Sequence, residues 1–126
     1  VSISEFPDVV GFYEAWLRAA LAGHGYPQVG VSRQFLNQPG EVVWLARDGG
    51  PRLDVARDNP RLRVNCLSDT RIDAFTERVR ALMFASLGQG PVRRVTELAG
   101  PVEIPNPKPW RYLLFDVVTV GSPLTV

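Results

Sequence analysis

The sequence predicts an α/β domain of the α+β kind: one mostly antiparallel sheet with two helices packed on one face. Three observations lead there. In the stretch 61–88 the hydrophobic period changes in mid-course, from two to about 3.6 residues. Several other short apolar runs have strand-like length or alternation. Gly- and Pro-rich punctuation separates these runs and leaves room for one further amphipathic helix near the start. At 126 residues the chain is read as a single domain, 1–126, large enough for a substantial core.

In chain order, residues 1–6 read as a short arm. Phe6-Pro7-Asp8 opens a helix with Pro in its first turn. Val9, Tyr13, Trp16, Leu17, Ala20 and Leu21 form its apolar stripe, and Gly23, Gly25 and Pro27 end it. Residues 28–35 read as a strand. Asn37-Gln38-Pro39-Gly40 is a turn signal, so 42–47 is expected to return as the second arm of a hairpin. Residues 48–60 read as a long connection with a short extended piece at 52–55.

In the next strand Leu62, Val64 and Cys66 alternate with Arg61, Arg63 and Asn65, which gives it one buried face. The helix after it, 70–87, carries Ile72, Phe75, Val79, Leu82, Met83 and Leu87 on one stripe. Asp69 or Thr70 is its expected cap and Gly88 its stop. Residues 92–98 read as a strand. Pro101, Pro105, Pro107 and Pro109 then make a stiff, polyproline-like connection outside any sheet ladder, because each lacks a donor. The last strand, 111–120, is apolar on both faces, so it should be central in the sheet or covered by a partner.

Fourteen basic and thirteen acidic side chains leave a formal charge of +1, too little for a dedicated nucleic-acid binder. Cys66 is the one cysteine, which excludes an internal disulfide and a cysteine-based metal site. Its place on the buried face marks a packed, inert thiol. No apolar run is long enough for a membrane-spanning helix, and the N-terminal stretch has no basic start or apolar core of an export signal. The expectation is a soluble protein made in a cytoplasm, without membrane association.

The search for catalytic chemistry returns little. His24, the single histidine, lies between glycines at a helix end, where capping or solvent exposure suits it. Asp48, Asp54 and Asp58 share one loop, but Arg47, Arg52, Arg57 and Arg61 are interleaved with them, a pattern of ion pairs and not of a cation site. Ser32, Ser68 and Ser86 lie in no nucleophile-elbow sequence, and Gly88-Gln89-Gly90 follows a helix where a phosphate cradle would precede one. Trp16, Trp44 and Trp110 do not alternate with a basic stripe and read as core or interface anchors. No catalytic residue, metal ligand or cofactor is assigned, and the chain is not expected to be an enzyme.

A set of blocks in order carries a resemblance. An early helix, DVVGFYEAWLRAAL (8–21), precedes GGPR (49–52), DNPRLRVNC (58–66) and RVRALMFA (78–85). VRRVTELAGPVEIPNP (92–107) and WRYLLFDVVTVGSPL (110–124) follow. With these blocks the last two-thirds of the chain resembles the tail terminator, or tail completion, proteins of long-tailed bacteriophages, particularly of actinobacterial phages. Leu67 stands where the family pattern leads one to expect Trp, and the first forty or so residues match only in the position of the helix.

The resemblance implies a structural virion protein at the head–tail junction of the tail, made in the host cytoplasm. It implies a homohexameric ring that caps the tail tube, ends tube polymerisation and joins the tail to the head. The implied partners are further copies of the chain, the major tail tube protein and a head-side connector or stopper. DNA would pass through the lumen without sequence-specific binding, which near-zero net charge allows.

Two segments suit such contacts. Arg47, Asp48, Arg52, Asp54, Arg57 and Asp58 are subunit-interface candidates, able to pair charges across a junction and set its register. Pro101, Glu103, Ile104, Pro105, Pro107, Lys108 and Trp110 are candidates for a tube- or connector-facing projection, because a stiff segment loses little entropy on docking. The alternatives are a head-completion, stopper or connector protein of the same junction and, remotely, a small ligand-binding domain or enzyme.

Overall fold

The computed structural model describes residues 2–51, 53 and 57–125. Along the chain come β1 (Ser2–Glu5), α1 (Val9–Gly23), β2 (Gly30–Ser32), β3 (Val42–Arg47), β4 (Arg57–Asp58), β5 (Arg61–Leu67), α2 (Ile72–Ala85), β6 (Val92–Ile104), β7 (Trp110–Val120) and β8 (Ser122–Thr125). β1 and β8 form a separate two-stranded antiparallel ribbon. The other six strands form one mixed sheet. β5 lies between β3 and β7, and β6 pairs with the opposite edge of β7, so β2 and β6 are the outer strands. The α+β class with two helices is as expected.

β7 pairs on both edges, as its two apolar faces required. In β5 the period-two set behaves as a strand should: Leu62, Val64 and Cys66 are fully buried. Across the sheet they join Val43 and Leu45 of β3 and Leu113, Phe115 and Val117 of β7. Tyr13, Leu17 and Leu21 of α1 and Phe75, Val79, Leu82 and Met83 of α2 complete this cluster, which sets both helices on the same face.

The structure corrects several sequence expectations. β2 and β3 are parallel, in register Gly30–Val42 to Ser32–Trp44, and do not form a hairpin. The turn signal is real, since the chain bends at Pro39-Gly40 and Gly40 has φ +83°. A local bend does not dictate which way the following strand pairs, however, and 33–41 carries the chain back to the start of β2. Pro7 precedes α1, and Asp8 is its N-cap, accepting from the Gly11 amide at 3.1 Å. Neither Asp69 nor Thr70 caps α2. Ser68 Oγ accepts from the Arg71 amide at 3.0 Å instead, and Asp69 turns away to accept from the Gly40 amide. Leu87 lies past the end of α2 and is 55% exposed, so the buried stripe stops at Met83.

The largest difference concerns the prolines. β6 runs on through Pro101 to Ile104, and only 105–109 connects it to β7. Register shifts between Glu97 and Ala99 and between Ala99 and Val102 take Pro101 out of regular pairing. An outer strand tolerates this, because its missing donor falls at an irregularity of an unpartnered edge.

The connection 48–60 folds back on β5: the Asp48 amide donates to Arg61 O and the Arg61 amide to Gly49 O. Gly50 has φ +102°, and a Cβ there would come within 2.1 Å of Asn59 O, so only glycine fits this closure. Of the extended piece expected at 52–55, only Leu53 lies within the described residues.

Buried polarity is sparse: Asp58 pairs with Arg47, and Asn65, Ser68, Thr76, Ser86 and Thr119 are neutral. Tyr13 and Ser86 share a hydrogen bond of 2.8 Å, and burial pushes the Tyr13 hydroxyl up to about 12. Burial likewise pushes the Cys66 thiol up to about 12, so it stays protonated and inert. Both groups hold their protons more tightly folded than unfolded, where their ordinary values are 10.0 and 9.0. Their contribution to stability is therefore complete below about pH 9 and is lost as pH rises toward about 12. Urea midpoints should fall above about pH 9, and a midpoint still flat at about pH 11 would contradict this. Leu82→Ala should destabilise by about 2–5 kcal/mol and Leu87→Ala by less than about 0.5 kcal/mol, read from denaturant melts.

Candidate interaction surface

The antiparallel register sorts side chains between the two faces of the sheet, and the face away from the helices is not polar. One row across it runs Val42, Leu67, Trp110, Ile104, and the next runs Trp44, Asn65, Tyr112, Val102. A third runs Ala46, Arg63, Leu114, Ala99. Trp44, Trp110, Tyr112, Leu114 and Val118 are half-buried, while Val102 is exposed. Antiparallel sheets with one wet face usually alternate apolar and polar residues; β7 does not, because Tyr112, Leu114 and Val118 fall on the outer side.

Local bonding holds the aromatic residues in place. The Trp110 indole N–H donates to Asn65 Oδ1 at 3.0 Å, and Asn65 Nδ2 donates to Trp44 O at 3.1 Å. The Trp44 indole N–H donates to Arg33 O at 3.1 Å, so the connection 33–41 crosses this face. The Phe35 ring, 52% exposed, stands edge-on to Trp44 at 5.5 Å, and Trp44 and Trp110 lie 5.9 Å apart. The Arg63 guanidinium lies 5.4 Å from the centre of the Tyr112 ring. These are preset apolar anchors with their polar atoms already satisfied, the type of group that dominates protein interfaces.

Charge pairing surrounds the apolar rows. Arg47 pairs with Asp58 at 3.1 Å, Arg63 with Asp48 at 3.0 Å and Arg61 with Asp116 at 3.2 Å. Of the interface candidates read from sequence, Arg47, Asp48 and Asp58 thus form ion pairs within their own chain and offer a fixed charge pattern, not free charges. Arg57 is exposed on β4. Arg52 and Asp54 lie outside the described residues.

The projection candidates are divided between elements. Pro101, Glu103 and Ile104 belong to β6, Pro105, Pro107 and Lys108 to the connection after it, and Trp110 begins β7 on the apolar face. Lys108 Nζ donates to Gln38 O at 2.7 Å, which ties this connection to 33–41. Sequence reading set Asn65 with Arg61 and Arg63 on the outer face of its strand, where it is buried at 3% exposure, and did not pick out Phe35, Tyr112 or Leu114 as surface residues. The signal for the last two was the doubly apolar pattern of β7; Phe35 carried none.

Two other features resemble sites. A groove of about 350 Å³ between α1 and β3 is lined by Pro7, Val9, Val10, Leu45 and Ala46. Its polar groups are engaged with each other, since Arg33 bridges Asp8 and Glu14. The Arg33 guanidinium, with the Gly11 amide, holds the Asp8 carboxyl below the usual carboxylate range. His24 is exposed, and its backbone closes α1 by donating to Leu21 O and accepting from Arg78. Among the described residues, no group of three or more His, Cys, Asp or Glu side chains is placed to hold a metal ion. No helix among them is long and apolar enough to cross a membrane.

Compared with protein-family models and with curated proteins, the chain matches none.

Asn65 is the polar link between the two tryptophans. Asn65→Leu should destabilise by about 1–3 kcal/mol in denaturant melts, because it strands the Trp110 indole N–H. In a Trp110→Phe background, which has no indole N–H to strand, the same substitution should cost less; equal losses would show that the bond does not hold the ring.

Proposed function

We propose that this chain is a structural subunit of a bacteriophage tail-terminator ring. Six copies close a ring on the last tier of the tail tube, stop its growth and offer the other side to the head-side connector. The observation that carries this reading is the apolar sheet face built on Trp44, Trp110, Tyr112 and Leu114, which neither helix covers. Contiguous apolar surface of this kind, rimmed by charge, is typical of a protein–protein contact. The order of sequence blocks described above supplies the particular assembly.

The ion-paired rim fits the same role, since a fixed charge pattern rejects misregistered neighbours more than it adds affinity. Near-neutral net charge suits a lumen through which DNA slides without being held. The rival junction protein, a small-barrel stopper, would lack a helix such as α2, whose 14 residues are integral to this core.

Mass photometry and image averages of the purified chain, alone and with tube protein, test the reading. The expected outcome is six-fold rings that cap tube ends and shorten tubes. A chain that remains monomeric in the presence of tube protein would overturn it, as would substrate turnover abolished by mutating a polar cluster.

A further inference from the structure

We infer that copies of this chain join head to tail along the β6–β7 hairpin, the tip of one seating against the groove at the far end of the next. The inference rests on the assembly part of the ring reading and adds which surfaces meet. The two ends lie far apart on one rigid element: β6 has 13 residues, and at roughly 3.3 Å each the hairpin is about 40 Å long.

The two ends differ in charge. At the tip, Asp73 and Glu103 are 89% and 75% exposed and share the one guanidinium of Arg111, at 3.8 and 4.0 Å. Arg111 is only 19% exposed, and Lys108, 20% exposed, pairs with Asp69 at 3.8 Å, so this end presents three carboxylates over two recessed cations. At the opposite end, Arg93 and Arg94 are both exposed. Arg93 Nη1 donates to the carbonyls of Gly90 and Val92, and Arg94 pairs with no described carboxylate. One end has surplus negative charge and the other surplus positive charge, so tip-to-groove contact is favoured and like ends repel.

Shape agrees with charge. Beside Arg93 lies a groove of about 370 Å³ lined by Pro7, Pro91, Val120 and Gly121. The tip offers exposed Pro105 and Pro107. It is ordered in advance, since Asn106 Nδ2 donates to Lys108 O at 3.0 Å and Lys108 Nζ to Gln38 O. A preorganised apolar tip loses little freedom on docking.

The free edge of β6 is a poorer route to assembly. Its register shifts, Pro101 and the Arg93-Arg94 pair are features that block strand addition. Two different patches of one chain that fit each other make a heterologous contact, which closes into a ring when the rotation per step allows. The occupant of each end is therefore another copy of this chain.

The test is charge reversal with mixing. R93E/R94E gives a chain acidic at both ends, and D73R/E103R one basic at both ends. Because Asp73 sits in the first turn of α2, E103K alone serves as a milder variant, and melting curves establish that each variant is folded.

Each variant should need at least tenfold more protein for half-assembly than the parent. An equimolar mixture of the two double variants should recover assembly, because every junction then pairs opposite charges again. Rings of the parent chain together with variants that assemble equally well would remove this contact and leave the ring reading standing. Folded variants that lose assembly without recovery on mixing would also overturn it. A parent chain that stays monomeric with tube protein present would overturn both.

Discussion

The pairing of β5 with β3 and β7 along its whole length is the constraint on which the rest depends. Six consecutive residues, 62–67, are matched on both edges, so a slip of one residue would turn Leu62, Val64 and Cys66 away from the helices. The same register puts Asn65 between Trp44 and Tyr112 on the other face. Core and exposed surface are thus set by one ladder. Sliding the strand would destroy the helix-covered core and the aromatic rows together.

Both helices lie on one side of the sheet; the other side is covered only in part, with Val42, Leu67 and Asn65 buried and Trp44, Trp110, Tyr112 and Leu114 half-buried. The helix-covered face is mainly apolar, with Tyr13, Cys66, Thr76, Ser86 and Thr119 as its buried polar side chains. The open face keeps its aromatic rings apart from solvent polarity in a different way, by satisfying each indole N–H internally. A surface that is apolar in its rings and already paired in its donors needs no new hydrogen bonds to be buried, which lowers the desolvation cost of an interface.

Charge in this chain organises more than it attracts. Arg47, Asp48, Asp58, Arg61 and Arg63 are tied into pairs with one another and with β7. Exposed pairs of this type contribute little to stability. Their effect is on geometry: Arg61 with Asp116 and Arg63 with Asp48 hold the connection and the strands at one orientation.

The sequence by itself determined the class of fold, the central strand, the helix that follows it and the apolar inward stripe, because hydrophobic period is a local property that packing only confirms. It also marked β7 as unusual, since a strand apolar on both sides needs cover on both. Only the tertiary structure decided that β2 and β3 run parallel, that Pro101 stays within β6, and that Ser68 serves α2 where Asp69 was expected. Each of these turns on where a distant segment lies: the path of 33–41, the unpartnered edge of β6, the Gly40 amide that draws Asp69 away. The joining of Trp44, Asn65 and Tyr112 into one surface is of the same kind, because residues on three strands become neighbours only through register.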